Sequence, residues 1–594
     1  MVTLSQALLI ALDHHQAGRV AEAEDLYRRI LNADPEHADA MELLGVLAAQ
    51  TGRFGSAGRI LRFAVALRPD GAGGLSNLAG VEQSAAALDN AVRLYGRALR
   101  LMPDLADAHA SRAGALRRLG RTEAALLATA KALALVPGHA DALANRAAAL
   151  LSSGDPASAE RCARRSLRPN ARSAVAHATL AAALAAQRRW AEAETAARDS
   201  LALDRNAGEA WEVQGAVLAK LGRFPESLEA FTVAERLRPG PSLYAARGTA
   251  LIAMARPAEA AADFERALAD RPQDGGLHWN CGFARLMAGD YARGWPEFDW
   301  RRHDDRAEPP WRRLNQPTWR GEPLNGRTIL LYAEQGLGDT LQFLRYVPLV
   351  AARGGRVVLE VQRPLLPLLE PMPGVEGAAQ VIARGDPLPP FDLECPLMSL
   401  PRAFATVVDG VPADIPYLRP DPQRVARWRG RLGAHGAMRV GLVWAGNPRF
   451  PGDEERSPRL AGLRGLLDVP GCRFYGLQMG PGRADLADAV LPDSFTDLGP
   501  EIGDFADTAA IMANLDLVVS SCTGPAHLAG ALGAPLWLAL PFSPDWRWLT
   551  GRDDSPWYPT ARLFRQPAPG DWPSVAGHMA AELAALAQRF RPLP

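Results

Sequence analysis

Two different spacings of apolar residues divide this chain into halves. In the first half a small residue recurs at steps of 34 positions, and the last copy falls one residue short: Ala23, Ala57, Ala91, Ala125, Ala159, Ala193, Ser227 and Ala260. A bulky residue often follows four positions later, as in Ala23–Tyr27 and Ser227–Phe231. Residues four apart lie on one face of an α-helix. The pattern therefore predicts tandem amphipathic helices, and it fades near Arg302.

Prolines mark the ends of the predicted helices. They keep the same 34-residue step at Pro35, Pro69, Pro103 and Pro137, and Pro239 is still in register. Proline ends a helix because it lacks an N–H donor and clashes with the preceding turn. Pro169 comes two residues early, so one link is predicted to be short. We count eight repeats and a partial ninth, from Leu277 to Arg302.

A period of 34 with this pattern resembles the tetratricopeptide repeat. The resemblance implies a right-handed superhelix of helix pairs over residues 1–302, with a concave groove that binds a peptide or a protein. The alternative is a spacer or an arm for homo-oligomerisation, and the sequence leaves both open. Residues 303–325 follow with four prolines and charged clusters but no helical periodicity, which predicts a linker or docking segment.

Short apolar runs replace the helical pattern in the second half. They occupy residues 328–333, 356–361, 380–383 and 391–395, and after Pro420 residues 439–444, 473–477, 515–520 and 535–540. A helical stretch at 340–353 separates the first two. Strands that alternate with helices indicate parallel sheets, and two cycles predict two Rossmann-like lobes, 326–425 and 426–594. A final amphipathic helix at 575–590 is expected to cross back over both lobes.

Composition excludes several classes of function. Formal net charge is zero, which argues against a nucleic-acid partner. The longest apolar runs fall short of the ~20 residues that cross a membrane, and the first 19 residues lack the basic start of a signal peptide. Five scattered cysteines without a CxxC pair argue against a disulfide framework or a structural zinc site. A cytoplasmic protein is predicted.

Candidate chemistry lies after two of the predicted strands, because ligands bind beyond the carboxyl ends of open parallel sheets. The first turn contains Gly338 and Asp339, and the second contains Thr523 and Gly524, with His527 one turn into the next helix. Helix N-termini bind phosphate. Asp339 equally suits a helix cap, and the second turn equally suits an ordinary capped turn with a packed histidine. Glu334 is a second candidate for a catalytic carboxylate.

Four further polar residues are weaker candidates for the same ligand. Asn447 and Gln478 end predicted strands, and Arg456 follows on a polar loop where it would pair with phosphate. Asp507 would contact a ribose or simply open a helix. The aromatic segment at 545–558 would stack on a sugar or, as we favour, fill the core.

The order of these parts resembles GT-B glycosyltransferases, and is similar to the ADP-heptose:lipopolysaccharide heptosyltransferases. That family joins an early Gly-Asp, whose aspartate is the catalytic base, to a late Asp-Thr-Gly-x-x-His motif that binds phosphate. Here the matching residues are Gly338-Asp339 and the stretch from Cys522 to His527. Cys522 stands where the family has aspartate, a departure that bears on donor geometry.

The stretches AEQGLGDTLQFLRY, VGLVWAGNP and PFSPDWRWL, together with the repeats, resemble bacterial tetratricopeptide–glycosyltransferase fusions. Fusions of this layout modify flagellin in alphaproteobacteria with activated nonulosonic acids. The resemblance implies an inverting protein O-glycosyltransferase that uses a nucleotide sugar, such as an activated pseudaminic acid, on a protein acceptor such as flagellin.

We expect this enzyme to work without a metal. The sequence contains no Asp-x-Asp triplet, and helix N-termini and arginine are able to neutralise the leaving phosphate instead. Two alternatives stay open. One is a scaffold whose glycosyltransferase half has lost catalysis, and the other is an enzyme with a glycan or lipid acceptor. The donor sugar, its nucleotide base and the acceptor are left open by the sequence.

Overall fold

The computed structural model describes residues 3–303, 312, 314–369, 376–433, 436–450 and 452–590. The chain forms two compact units, Met1–Pro239 and Gly240–Pro594. The first is all helical. The second begins with four more helices and continues with two parallel sheets and their helices. The predicted fold class, a tetratricopeptide solenoid followed by an α/β module, is confirmed.

The first unit consists of antiparallel helix pairs. Its helices are α1 Leu4–Gln16, α2 Val20–Ala33, α3 Ala38–Gln50, α4 Phe54–Leu67, α5 Ala72–Ser84, α6 Leu88–Leu101, α7 Ala106–Arg118, α8 Thr122–Leu135, α9 Ala140–Ser152, α10 Pro156–Leu167, α11 Ala174–Ala186, α12 Trp190–Leu203, α13 Gly208–Lys220 and α14 Phe224–Leu237. The early proline was expected to shorten a link, but residues 168–173 between α10 and α11 form a longer link than residues 136–139 between α8 and α9. The helix is shortened instead, since α10 has 12 residues where its counterparts have 14.

The 34-residue ladder is explained by close helix contacts. The small residues of the ladder are fully buried. A Cβ atom on Gly45 of α3 would lie 2.6 Å from Cγ of Leu61 on α4, and one on Gly215 of α13 would lie 2.9 Å from the ring of Phe231 on α14. A glycine in the first helix therefore makes room for the bulky residue of the second, which is why both recur together.

The second unit opens with two further helix pairs. They are α15 Pro241–Ala253, α16 Pro257–Asp270, α17 Gly275–Met287 and α18 Tyr291–Phe298, followed by a 3-10 turn at Asp299–His303. Trp295 stacks edge-on against Trp546 with ring centres 5.3 Å apart, and Nε1 of Trp557 donates to the hydroxyl of Tyr291 at 3.0 Å. The compact unit therefore begins at Gly240, inside the repeats, although the sequence pattern placed the change near residue 302.

The first lobe has a four-stranded parallel sheet in the order β3-β2-β1-β4. Its strands are β1 Thr328–Tyr332, β2 Arg356–Val361, β3 Ala378–Ala383 and β4 Leu393–Pro396, and its helices are α19 Leu337–Phe343, α20 Val347–Ala351, α21 Leu366–Leu369 and α22 Leu400–Ala403. The single helix expected at 340–353 is divided into α19, a 3-10 turn and α20. Pro348 at the start of α20 explains the break, because it cannot donate to the preceding turn.

Part of the predicted linker is docked on this sheet. The backbone N–H of Trp319 donates to the backbone carbonyl of Glu394 at 2.8 Å, and the Trp319 side chain is buried. Thr318 forms a parallel bridge to Glu394 beside β4. Of the two interpretations of this segment, linker or docking segment, docking therefore applies to residues 317–319. Residues 304–311 and 313 lie outside the described part.

The second lobe has a six-stranded parallel sheet in the order β10-β9-β8-β5-β6-β7. Its strands are β5 Met438–Val443, β6 Cys472–Gly476, β7 Phe495–Asp497, β8 Leu517–Ser521, β9 Leu536–Leu540 and β10 Ala561–Arg565. Its helices are α23 Pro422–Leu432, α24 Asp453–Arg456, α25 Arg459–Leu463, α26 Phe505–Met512, α27 Gly524–Ala531 and α28 Trp572–Arg589.

The last helix, α28, lies on the second lobe. Its buried residues Val575, Met579 and Leu583 belong to the same apolar cluster as strand β5. The helix was expected to cross back over both lobes, but its apolar face is taken up by this one core. Among the described residues, no helix combines the length and the apolar character needed to cross a membrane.

Candidate functional site at the junction of the two lobes

The strand-to-helix turns of the two lobes touch. In the first lobe β1 is followed by the turn into α19, and in the second β8 is followed by the turn into α27. A Cβ atom on Gly338 would lie 2.6 Å from Cδ2 of His527 and 3.4 Å from Cα of Gly524. No side chain fits between them. The two turns singled out by the sequence therefore form one junction, and only glycine allows this approach.

The topology predicts a ligand crevice at the same point. In the second sheet the chain runs from β5 outward to β6 and β7, and then returns to β8 on the other side of β5. Ligands of such sheets bind at this switch, outside the carboxyl ends of the two diverging strands. The segment at Gly446 and Asn447 follows β5, and Cys522 and Thr523 follow β8. Both predicted donor-binding segments thus border one crevice.

Asp339 is held by a buried arginine. Its Oδ2 accepts the N–H of Gly336 at 2.8 Å, and its Oδ1 pairs with Nη2 of Arg547. Arg547 also pairs with Asp545 at 2.9 Å. Burial alone lowers the pKa of the Arg547 guanidinium, but the carboxylates of Asp545 and Asp339 more than offset it and the net shift is upward. A fixed cation therefore lies beside the predicted catalytic carboxylate.

His527 is a neutral, immobilised ring. Its Nδ1 lies 2.9 Å from the hydroxyl of Tyr558, and the ring stacks on Trp548 with centres 5.6 Å apart. Burial, followed by the charges of Arg547 and two other arginines, holds the pKa of His527 well below its usual value. At neutral pH this residue offers one N–H donor and no charge.

The first turn of α27 is left open to a ligand. Thr523 occupies the N-cap position, but no side chain caps the helix, and the Thr523 hydroxyl bonds instead to the Ser521 carbonyl at 3.3 Å. Cys522 accepts a hydrogen bond from Nε1 of Trp548 at 3.0 Å, and burial raises the pKa of its thiol to about 11. The thiol is therefore uncharged and serves as an acceptor in the packing behind the turn.

Arg456 borders the crevice from the β5 side. Its Nε donates to Asp453 at 3.0 Å, its guanidinium covers the ring of Phe450 at 4.1 Å, and its side chain keeps a partly exposed surface. A Cβ atom on Gly446 would lie 2.7 Å from Nη2 of Arg456. The nearby Asn447 uses its side-chain oxygen to accept the N–H of Arg449 at 3.1 Å, which shapes the loop.

Gln478 and Asp507 are occupied by structural bonds. The Gln478 oxygen accepts the N–H groups of Trp444 and Ala445 at 3.0 and 2.9 Å, and its amide donates to two carbonyls. Asp507 lies at the start of α26, where its carboxylate accepts from Arg424 at 3.0 Å and from the Gly503 N–H at 3.1 Å. Both side chains fasten backbone segments. These bonds take up their polar atoms, which leaves none free to support the predicted role in donor binding.

Glu334 is buried away from the crevice. Its Oε2 pairs with Arg301 at 2.8 Å, and Oε1 is buried without a hydrogen-bond partner among the described residues. Arg301 also donates to Ser399 at 2.8 Å. Burial raises the pKa of Glu334 even though Arg301 opposes the shift. Of the two predicted carboxylates, Asp339 is therefore the one at the junction.

Two residues at the junction escaped the sequence analysis: Arg547 and Arg345. Arg547 was detectable in the sequence, because it lies between two tryptophans in an apolar segment. An arginine that is buried there needs a carboxylate partner. The predicted core role of this aromatic segment fits the structure, since Trp546, Trp548, Trp557 and Tyr558 are almost fully buried.

A separate cavity of about 820 Å³ lies in the first lobe, lined by residues that include Asp299, Arg302, Glu394 and Arg402. Ion pairs already occupy these groups, Arg302 with Glu394 at 2.8 Å and Arg402 with Asp299 at 3.0 Å. We place the candidate site at the junction instead, because the sheet topology and the glycine contacts converge there. Among the described residues, no cluster of three or more histidine, cysteine or acidic side chains is arranged to hold a metal.

Comparisons with known proteins identify the repeats. The tetratricopeptide repeat family matches residues 8–72 and 178–241. Protein FlbA of Caulobacter vibrioides is 30% identical over 329 residues, which cover 50% of this chain and 53% of FlbA. The chain thus spans about half the length of this curated relative.

Two of the solved structures that match the chain are also tetratricopeptide proteins. A tetratricopeptide repeat protein from Parabacteroides merdae matches at 18% identity and a TM-score of 0.31, over 47% of this chain and 98% of that one. A thermophilic tetratricopeptide protein of Thermus thermophilus matches at 23% identity and a TM-score of 0.28, over 30% and 99%. The protein is a tetratricopeptide-containing chain with a C-terminal α/β module.

Proposed function

We propose that the α/β module is a GT-B glycosyltransferase that transfers a sugar from a nucleotide-sugar donor to a protein hydroxyl. One observation carries the proposal: Asp339 and His527 come from different lobes, and the turns that hold them meet at a contact only glycine permits. The family resembled by the sequence draws its base and its phosphate motif from the corresponding turns. Tetratricopeptide repeats generally bind proteins, which supports a protein acceptor.

The residues suit an inverting displacement. The phosphate of the nucleotide sugar would lie at the open N-terminus of α27, between Arg456 and the imidazole N–H of His527. An acceptor hydroxyl would attack the anomeric carbon from the opposite side, and its proton would pass to Asp339 as the new C–O bond forms. The bond to the phosphate oxygen breaks, and the nucleotide leaves with the electron pair. Arg547 keeps the carboxylate of Asp339 directed at the junction.

Asp339→Asn tests this function. Removing a general base lowers turnover by roughly 10²–10⁴-fold, measured by intact mass of a flagellin incubated with CMP-, UDP- and ADP-sugars. Asp545→Asn is the matched control, because it also removes one carboxylate from Arg547 but leaves Asp339 in place. We expect the control to lose far less activity. Equal turnover by Asp339→Asn and the unaltered protein would show that Asp339 is not the base.

The acceptor is the second part of the proposal. A flagellin held by the repeats is the acceptor that the resemblance favours. Deleting residues 1–239, which form a compact unit of their own, should abolish transfer to the protein while leaving hydrolysis of the donor unchanged. Unimpaired transfer to the protein by this truncated chain would show that residues 1–239 do not hold the acceptor.

A scaffold without catalysis is the second candidate function, and Cys522 is the residue that favours it. In the family the position is aspartate, whereas here a neutral thiol accepts from Trp548. Calorimetry with the same panel of nucleotide sugars separates the two functions. Donor binding together with loss of transfer in Asp339→Asn supports the enzyme, and the absence of any donor binding supports the scaffold.

A further inference from the structure

The imidazole of His527 is fixed from behind by Tyr558. The hydroxyl of Tyr558 lies 2.9 Å from Nδ1, and the phenol ring packs directly on Gly530, one helical turn after His527 in α27. Trp548 stacks on one face of the imidazole, with 25° between the ring planes. Neither ring is free to turn, so the hydrogen bond between them has one geometry.

Chemistry sets the direction of this hydrogen bond. A neutral imidazole has one N–H donor and one acceptor nitrogen, and the partner of one nitrogen decides which is which. A phenol O–H is the better donor of the two groups, and an imidazole nitrogen is the better acceptor. If Tyr558 donates to Nδ1, the imidazole proton is carried by Nε2.

Arg345 strengthens this arrangement. Its guanidinium lies 4.7 Å from the centre of the Tyr558 ring, and a cation at that position draws electron density from the ring and makes the hydroxyl a stronger donor. Arg345 donates to the carbonyls of Pro412 and Trp557 at 3.0 and 2.6 Å, and to the hydroxyl of Tyr417 at 3.2 Å. Among its described hydrogen-bond partners there is no carboxylate, so the charge is not cancelled locally.

The other edge of the imidazole faces the junction. The Cβ position of Gly338 lies 2.6 Å from Cδ2 and 3.4 Å from Nε2 of His527, beside the first residue of α27. A proton on Nε2 therefore points toward the turns of the two lobes.

We propose that Tyr558 is a positioning residue that holds the proton of His527 on Nε2, so that a neutral N–H donor faces an anionic phosphate ligand at the junction. The identity of the ligand as a nucleotide sugar rests on the proposed function, and the position of the proton does not.

The test is nitrogen NMR of the full-length chain labelled at its histidines. His527→Gln identifies the signals of His527, and Tyr558→Phe removes the hydroxyl while keeping the ring on Gly530. Tyr346→Phe is the matched control, because that tyrosine is buried equally but bonds Thr406 at 2.8 Å, not His527. We expect a single species protonated on Nε2 in the unaltered chain and in Tyr346→Phe, and a second species protonated on Nδ1 in Tyr558→Phe.

Affinity provides the second readout, with CMP, UDP and ADP as probes in calorimetry. For the nucleotide that binds the unaltered chain, Tyr558→Phe should weaken binding roughly tenfold and Tyr346→Phe should not, as expected for one hydrogen bond lost or misdirected. A proton on Nδ1 in the unaltered spectrum overturns the proposal, as does a Tyr558→Phe spectrum with the proton still wholly on Nε2. If the spectra are as expected but none of the nucleotides binds, the proposed function fails while the assignment of the proton stands.

Discussion

Gly338→Ala is the sharpest probe of the contact between the lobes. The new methyl group would lie 2.6 Å from Cδ2 of His527, well inside the separation of real carbon contacts. The imidazole of His527 is held in place, because Trp548 stacks on its ring and Tyr558 forms a hydrogen bond with its Nδ1. Overpacking of this kind costs about 1–3 kcal/mol. Alanine in place of glycine in α19 returns about 0.5–1 kcal/mol through the unfolded chain.

The expected outcome is a net change of about 0–2.5 kcal/mol toward lower free energy of unfolding, measured by urea denaturation of the full chain. Nucleotide affinity should fall as well, since His527 and the first turn of α27 are displaced. Gly430→Ala is the matched control, because a Cβ atom at this helical site meets nothing within 4 Å and should stabilise the protein by about 0.5–1 kcal/mol. If both variants are stabilised alike and bind nucleotide alike, the two turns are not in contact in solution.

Three further predictions follow from the bonds at the site. The pKa of His527 in the folded chain lies below the unfolded value of 6.5, so the unfolded chain takes up the proton first as pH falls. The stability that the neutral ring contributes is present above pH 6.5 and declines as pH falls toward the folded pKa. His527→Gln should reduce this decline in urea titrations across that range. Gln478→Ala should lower the free energy of unfolding by about 2–4 kcal/mol, because buried backbone groups lose their partners, whereas Asn447→Ala should cost under about 1 kcal/mol; equal losses would contradict the structural role of Gln478. Cys522→Ala should cost about 1–2 kcal/mol by leaving Nε1 of Trp548 unpaired, and Cys522→Ser should recover most of it in the same denaturation assay.

The repeats were predictable because their signal is local. Gly45 and Leu61, or Gly215 and Phe231, lie 16 residues apart in one hairpin, and Gly248 makes the same contact with Phe264. The buried strands were predictable for a similar reason, since β1, β2, β5, β8 and β9 each centre on a short apolar run. Strand β7 has only three half-buried residues, and β10 contains two arginines, so neither shows an apolar run.

The site was harder to predict because its partners are far apart in sequence. Asp339 and Arg547 are separated by 208 positions, and no local pattern connects them. The same holds for Glu334 and Arg301, whose pairing buries a carboxylate that looked as available as Asp339. Gln478 and Asp507 show the opposite ambiguity, because a polar residue at the end of a strand or the start of a helix fastens backbone as readily as it binds a ligand.

The two strand-to-helix turns do not define the site alone, because charged side chains around the junction also act on it. Arg547 and Arg456 each have an aspartate partner, whereas the described hydrogen bonds of Arg345 go to neutral groups. Burial lowers the pKa of His527, the three guanidinium groups lower it further, and the ring is therefore neutral. An open helix N-terminus beside a neutral N–H donor favours an anion without placing a mobile proton next to it. The proposed function therefore assigns the proton acceptor to Asp339, the carboxylate on the turn that meets α27.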